Sequence, residues 1–141
     1  MDVFRSAVRS VLCYAAPCWG WREHGGAERV QLMFIRRLFR LPRFAPNYIL
    51  HLETGLNTVS EFTLEALFGY RLRVARLQDS RLPRIVVREV IGKNVSWARH
   101  LDHLSTELDV HNHLDSLDCK MIRAQADALL REFKKSKREQ F

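Results

Sequence analysis

Apolar residues in this chain recur every three to four positions and nowhere alternate with polar ones, a pattern that builds helices and leaves no strand. Residues 117–133 show it most plainly: Cys119, Ile122, Ala126, Leu129, Leu130 and Phe133 share a face about 100° wide. Val3, Ala7, Val11 and Tyr14 are spaced for a similar face, with Arg5 and Arg9 on another, and Pro17 and Gly20 predict a kink and then a stop near Trp19. Gly25 and Gly26 close a loop. The helix expected from Ala27 to Leu41 carries Val30, Met33, Phe34, Leu38 and Leu41 on one side, and Pro42 with Pro46 ends it. A short helix over about Asn47 to Thr54 is bounded by Gly55.

Thr58, Val59, Ser60 and Glu61 have the form of a capping box, in which the Thr58 hydroxyl and the Glu61 carboxylate each satisfy a free backbone N–H. The long helix that follows, to about Leu77, is expected to turn Glu61, Glu65, Arg73 and Arg76 to solvent, acids first and cations last as the helix dipole prefers. Pro83 suits the first turn of a helix running to about Ile91, and further helices span Ser96 to Leu108 and Leu117 to Phe133. The expected fold is all-α, an irregular bundle of about six to seven helices. Beyond Gly92, Lys93 and Asn94 the charge changes sign, with Asp102, Glu107, Asp109, Asp115 and Asp118 opposed only by Arg99, so the chain divides into a helical domain at 1–92 and a C-terminal helical extension at 93–141. Lys134, Lys135, Lys137 and Arg138 form a basic tail suited to nuclear import or an extra phosphate contact, or to a solvated helix end.

A chain of 141 residues can bury a sizeable core, and no apolar run approaches the eighteen or so residues that a membrane span needs. Its 23 Lys+Arg outnumber 16 Asp+Glu, and all but five of the cations are Arg, the side chain that meets phosphate or carboxylate two-pronged. Cys13, Cys18 and Cys119 are an odd number without a secretory signal, so reduced thiols and an intracellular location, nucleus or cytoplasm, are expected.

The usual catalytic arrangements are missing: there is no Gly-rich phosphate loop, no nucleophile elbow, no zinc-binding His-Glu-x-x-His and no adjacent Asp pair to hold two metal ions. A stand-alone enzyme is not expected, nor is a cofactor. His100, His103, His111, His113 and Cys119 fall within twenty residues of one another, but their spacing fits no common zinc finger, and the reading is surface or partly buried histidines with no metal site.

The sharper constellation is the second helix. At 100° per residue, Arg29, Arg36 and Arg40 fall within an arc of about 40° and form a stripe roughly 16 Å long, enough for two or three backbone phosphates. Arg37 flanks it, Arg43 follows Pro42, and no acid lies between Arg29 and His51. Two readings stand side by side: a phosphate-binding face, or a basic helix facing the acidic 102–118 stretch of the same fold.

The order of the pieces then carries more than each piece. SVLCYAAPCWGW (10–21) ends an apolar helix in Tyr14, Trp19 and Gly20; ERVQLMFIRRLFRLPRFAPNYILHLETG (28–55) holds Gln31, Phe34, Arg36 and Arg37, then the Leu41 and Pro42 turn, then Glu53, Thr54 and Gly55; EALFGYRLRVARLQDSRLPRI (65–85) follows. Together, over residues 3–92, these resemble the region after the catalytic palm in reverse transcriptases of non-LTR (LINE-type) retrotransposons, jockey-like elements in particular. The resemblance implies a helical thumb that packs beside the palm and helps hold a template–primer duplex, RNA–DNA hybrid or DNA, through its backbone. Arg36 and Arg37 match the family motif, whereas Arg29, Arg40 and Arg43 come from helical geometry. This chain has Gly55, Leu56, Asn57, Thr58 and Val59 where the family carries a Gly-x-Leu-Pro-Leu type turn, and it contains no aromatic-x-Asp-Asp motif. The expectation is therefore a truncated thumb-like fragment that does not polymerise alone. The alternatives are a helical protein-interaction module, whose apolar surface for a palm or other protein would expose Trp19, Trp21, Phe39 or Phe44, and a decayed element without a selected role.

Overall fold

The computed structural model describes residues 3–19, 22, 24–95, 97–112 and 117–139, and every regular element among them is helical. A π-helical turn, Phe4–Val8, runs into α1 (Arg9–Leu12). Then come α2 (Ala16–Trp19), α3 (Gly25–Leu38), α4 (Asn47–Thr54), α5 (Val59–Ala75), α6 (Leu82–Gly92), α7 (Trp97–Glu107) and α8 (Cys119–Glu139). The all-α class is the one the periodicity demands. The expected stop at Gly20 and helix start at Ser96 lie outside the described residues.

α5 is the axis of the molecule. Thr58 caps it, its hydroxyl accepting from the Glu61 N–H at 3.1 Å, and the helix packs on α8, α2, α3 and α6. With neighbours on several sides it buries Leu64, Leu67, Phe68, Val74 and Ala75, but also Glu61 and Arg71. This corrects the expected solvated strip: Arg73 and Arg76 are exposed, whereas Glu61 is buried and Glu65 takes an ion pair from Lys134 at 3.1 Å. Where partners surround the helix, at its N-terminal half, no polar side is left to give to water, and only its C-terminal end keeps exposed cations.

The largest core joins Leu64, Leu67 and Phe68 of α5 to Leu101 of α7 and to Ile122, Ala126, Leu129 and Phe133 of α8. At about 1.5–3 kcal/mol per fully buried large side chain, this layer is the main source of stability. It runs across position 93, so residues on both sides of the expected boundary share one core. α8 continues through the expected tail to Glu139, because Lys134, Lys135, Lys137 and Arg138 follow the apolar face without a helix breaker.

Two expected faces are reversed. Phe4, Arg9 and Cys13 are buried, while Val3, Val11 and Tyr14 are exposed; in α3, Gln31, Leu32 and Ile35 are buried, while of the expected face Val30, Met33 and Leu38 are exposed and Phe34 alone packs on the core, against Phe4. Each segment carries two apolar stripes, and the one nearer its polar anchor wins. Arg9 Nη2 donates to Gln31 Oε1 at 3.0 Å and to the Asn57 carbonyl at 2.6 Å, and Gln31 Nε2 donates to that carbonyl at 3.0 Å. The pairing fixes both helices against the turn before α5. The first break also comes early, at Cys13, Tyr14 and Ala15, where Ala15 has φ 52°, and Pro17 sits in the first turn of α2, where its missing N–H costs nothing.

Candidate nucleic-acid interface

α3 ends at Leu38, three residues short of expectation, in a Schellman closure: Leu41 N–H donates to the Arg36 carbonyl at 2.8 Å and Arg40 N–H to the Arg37 carbonyl at 3.3 Å. This turns Arg40 into the left-handed region at φ 53° and takes it off the helix. The three-arginine helical stripe is therefore corrected, since its last member lies in the turn. Arg29 and Arg37 remain on exposed positions of α3, and Arg40 and Arg43 are exposed beyond it.

Arg36 is the odd member. Half-buried, it donates from Nη2 to the Ala45 carbonyl at 2.8 Å and to Asn47 Oδ1 at 2.6 Å, while its buried Nε has no partner. With the Ala45 N–H to Pro42 carbonyl bond at 3.1 Å, these contacts tie the turn 39–46 to the starts of α3's last turn and of α4. Arg36 thus shapes the turn, and Arg29, Arg37, Arg40 and Arg43 are the exposed arginines of this segment. Among the described residues none of the four forms an ion pair or side-chain hydrogen bond, so Asp102, Glu107, Asp109 and Asp118 do not pair with them, and Asp115 lies outside the described residues. Residues 39–44 read Phe, Arg, Leu, Pro, Arg, Phe, and both aromatic rings are exposed, Phe39 at 52% and Phe44 at 87%. Trp19 is half-buried, its indole N–H donating to the Tyr14 carbonyl at 2.7 Å, and Trp21 lies outside the described residues.

A second constellation escaped the sequence. Glu28, in the first turn of α3, accepts the Val59 N–H at 2.7 Å, so a carboxylate from another helix caps α5. Its other oxygen lies 3.4 Å from His51 Nε2, and His51 Nδ1 is 3.0 Å from the Leu56 carbonyl. Burial opposes the charge on His51, but the Glu28 hydrogen bond, the Leu56 carbonyl and the Glu28 and Glu61 carboxylates outweigh it and raise its pKa. Burial likewise raises Glu61, against the pull of Lys134, His51 and the Thr58 backbone. Both groups line a cleft of about 710 Å³ with Tyr48, Thr58, Lys137 and Arg138. No spacing rule joins Glu28 to His51, because their contact depends on how α3 and α4 pack.

Arg9 lines a smaller cleft of about 420 Å³ with Arg5, Ser10 and Cys13; burial lowers its pKa, and its guanidinium lies 4.7 Å from the centre of the Phe62 ring. Among the described residues no group of three His, Cys, Asp or Glu side chains is placed to hold a metal ion, and His113 lies outside them. No described helix is long and apolar enough to cross a membrane. Compared with known proteins, the chain matches no family model, no curated protein and no solved structure.

Proposed function

We propose that this chain grips the phosphate backbone of a nucleic-acid duplex through Arg37, Arg40 and Arg43, with Arg29 an additional contact further along α3. The observation that carries the reading is Arg40. Glycine is the relaxed choice at a left-handed helix end, and the corresponding positions after α6 and α7 hold Asn94 (φ 46°) and Asp109 (φ 52°), residue types that tolerate it. A long cation kept there, exposed and without an acidic partner, accepts strain of about 1 kcal/mol that an outside anion would offset. Phosphate contacts of this kind position a duplex without reading its sequence, which is the task of the thumb in the LINE-type reverse transcriptases this chain resembles. The proposed role is to hold an RNA–DNA hybrid or DNA, with polymerisation left to groups this chain does not contain.

The test is fluorescence-anisotropy binding to a blunt RNA–DNA hybrid, with Arg37→Glu plus Arg40→Glu alongside. The double variant is expected to bind at least tenfold more weakly at low salt, and unchanged affinity would remove these arginines from the reading. Arg36 is left intact so that the turn survives.

A second reading rests on a different observation, the exposed apolar row of Val30, Met33 and Leu38 on α3. As a protein-interaction module, the chain would bury this row against a partner. Sedimentation at rising concentration checks it for self-association, with Met33→Lys abolishing any dimer.

A further inference from the structure

We infer that the turn 39–44 holds unpaired nucleotides, with Phe39 and Phe44 stacking on bases while Arg37, Arg40 and Arg43 hold the phosphates between them. The inference rests on the phosphate-binding reading for its charged contacts and adds to it the state of the nucleic acid.

Phe44 is 87% exposed, yet its position is not left to chance: Arg36 grips the Ala45 carbonyl one residue beyond it, and Ala45 N–H reaches back to the Pro42 carbonyl. On the other side the Schellman closure fixes the Phe39 backbone at the end of α3, with the side chain 52% exposed. Three backbone closures and a half-buried guanidinium thus hold two aromatic rings in water. The interior of a duplex offers them no free base face, because each pair is covered by its neighbours in the stack, and a wedge between two pairs must first unstack them. An unpaired base offers one, and stacking tolerates any base identity.

Charge points to the same occupant. Each ring has an arginine next to it in sequence, Arg40 after Phe39 and Arg43 before Phe44. No acid occurs from residue 29 to residue 52, and Glu28 is engaged with His51 and the Val59 N–H. Two aromatic rings with two cations between them match two bases and the phosphates that link them in a single strand, whereas a protein partner would need carboxylates flanked by apolar side chains in the same order.

The experiment compares three probes with the full chain: a blunt RNA–DNA hybrid, the same hybrid with a six-nucleotide single-stranded extension, and that extension made of abasic sugars. The base-bearing extension is expected to tighten binding about tenfold over the blunt hybrid, and the abasic one to lose most of that gain. Phe44→Ala should abolish the gain while leaving the blunt hybrid within about twofold, and Phe44→Trp should keep it. Because Phe44 contributes little to the core, folding is not at stake in either variant. An abasic extension that binds as tightly as the normal one overturns the inference, as does an equal Phe44→Ala loss on both probes. Displacement of the extended hybrid by a mixed acidic and apolar peptide more readily than by free single strand also overturns it, assigning the turn to a protein. The blunt hybrid alone reports the phosphate grip and the ratio between probes reports stacking, so the two readings fail separately.

Discussion

His51 of α4 and Glu28 of α3 form an ion pair, Nε2 to Oε1 at 3.4 Å, while Glu28 Oε2 accepts the first N–H of α5. Three helices therefore meet at one carboxylate. With Nδ1 against the Leu56 carbonyl, both ring nitrogens of His51 face acceptors, and only the imidazolium donates to both.

The raised His51 pKa makes stability depend on pH. A proton held more tightly in the folded state stabilises fully below the unfolded imidazole value of about 6.5, and that contribution is lost as pH rises through the folded value. The thermal midpoint is expected to fall as pH rises above about 6.5, and His51→Gln should flatten that fall. A variant curve with the same slope as the parent would place the pH dependence elsewhere.

Arg40→Gly separates fold from function. Relieving the left-handed side chain is expected to raise stability by about 0.5–1 kcal/mol in urea denaturation while weakening the hybrid complex several-fold. Stability gained with no loss of affinity would show the strain to be unrelated to binding.

Arg36 predicts the opposite pattern. Arg36→Ala removes two charge-assisted bonds that hold residues 45–47 and should cost about 2–3 kcal/mol in urea denaturation. Its effect on nucleic-acid affinity should follow from the loosened turn, so Arg36→Lys, which keeps the charge but not the planar fork, should lose most of the stability as well.

Arg71 is fully buried on α5, its pKa lowered to about 10 by that burial, and its Nη1 donates to Gln125 Oε1 at 3.3 Å. Among the described residues Nε and Nη2 have no partner, and the guanidinium lies 5.7 Å from the Trp97 ring centre. Arg71→Met keeps volume and removes the desolvated charge, and is expected to leave stability within about 1 kcal/mol or raise it, whereas Arg71→Ala should cost about 3 kcal/mol through the cavity. Chemical denaturation of both variants checks the contrast.

How much of this was legible follows the number of competing signals. α8 has one apolar stripe, and Ile122, Ala126, Leu129 and Phe133 are buried as their spacing requires. Thr58 caps α5 as its hydroxyl foretold. The first helix and α3 each carry two apolar stripes, and only the tertiary pairing of Arg9 with Gln31 and Asn57 chooses between them. α5 hid its interior polar groups because a helix packed on several sides shows no amphipathic pattern to read. In the candidate interface, the exposed arginines were legible as a basic cluster, but not their division of labour. Arg36 turned inward because Ala45 and Asn47 offer acceptors there, and Arg40 left the helix because the Schellman closure comes before Pro42.

The central claim is that Arg37, Arg40 and Arg43 meet backbone phosphates, and the salt dependence of binding to a blunt duplex tests it most directly. Three released counterions predict that the slope of log K against log salt is shallower by about 2.7 in Arg37→Gln plus Arg40→Gln plus Arg43→Gln, leaving about −0.9 from Arg29. An equal slope in parent and triple variant would contradict it, as would a duplex affinity indifferent to salt.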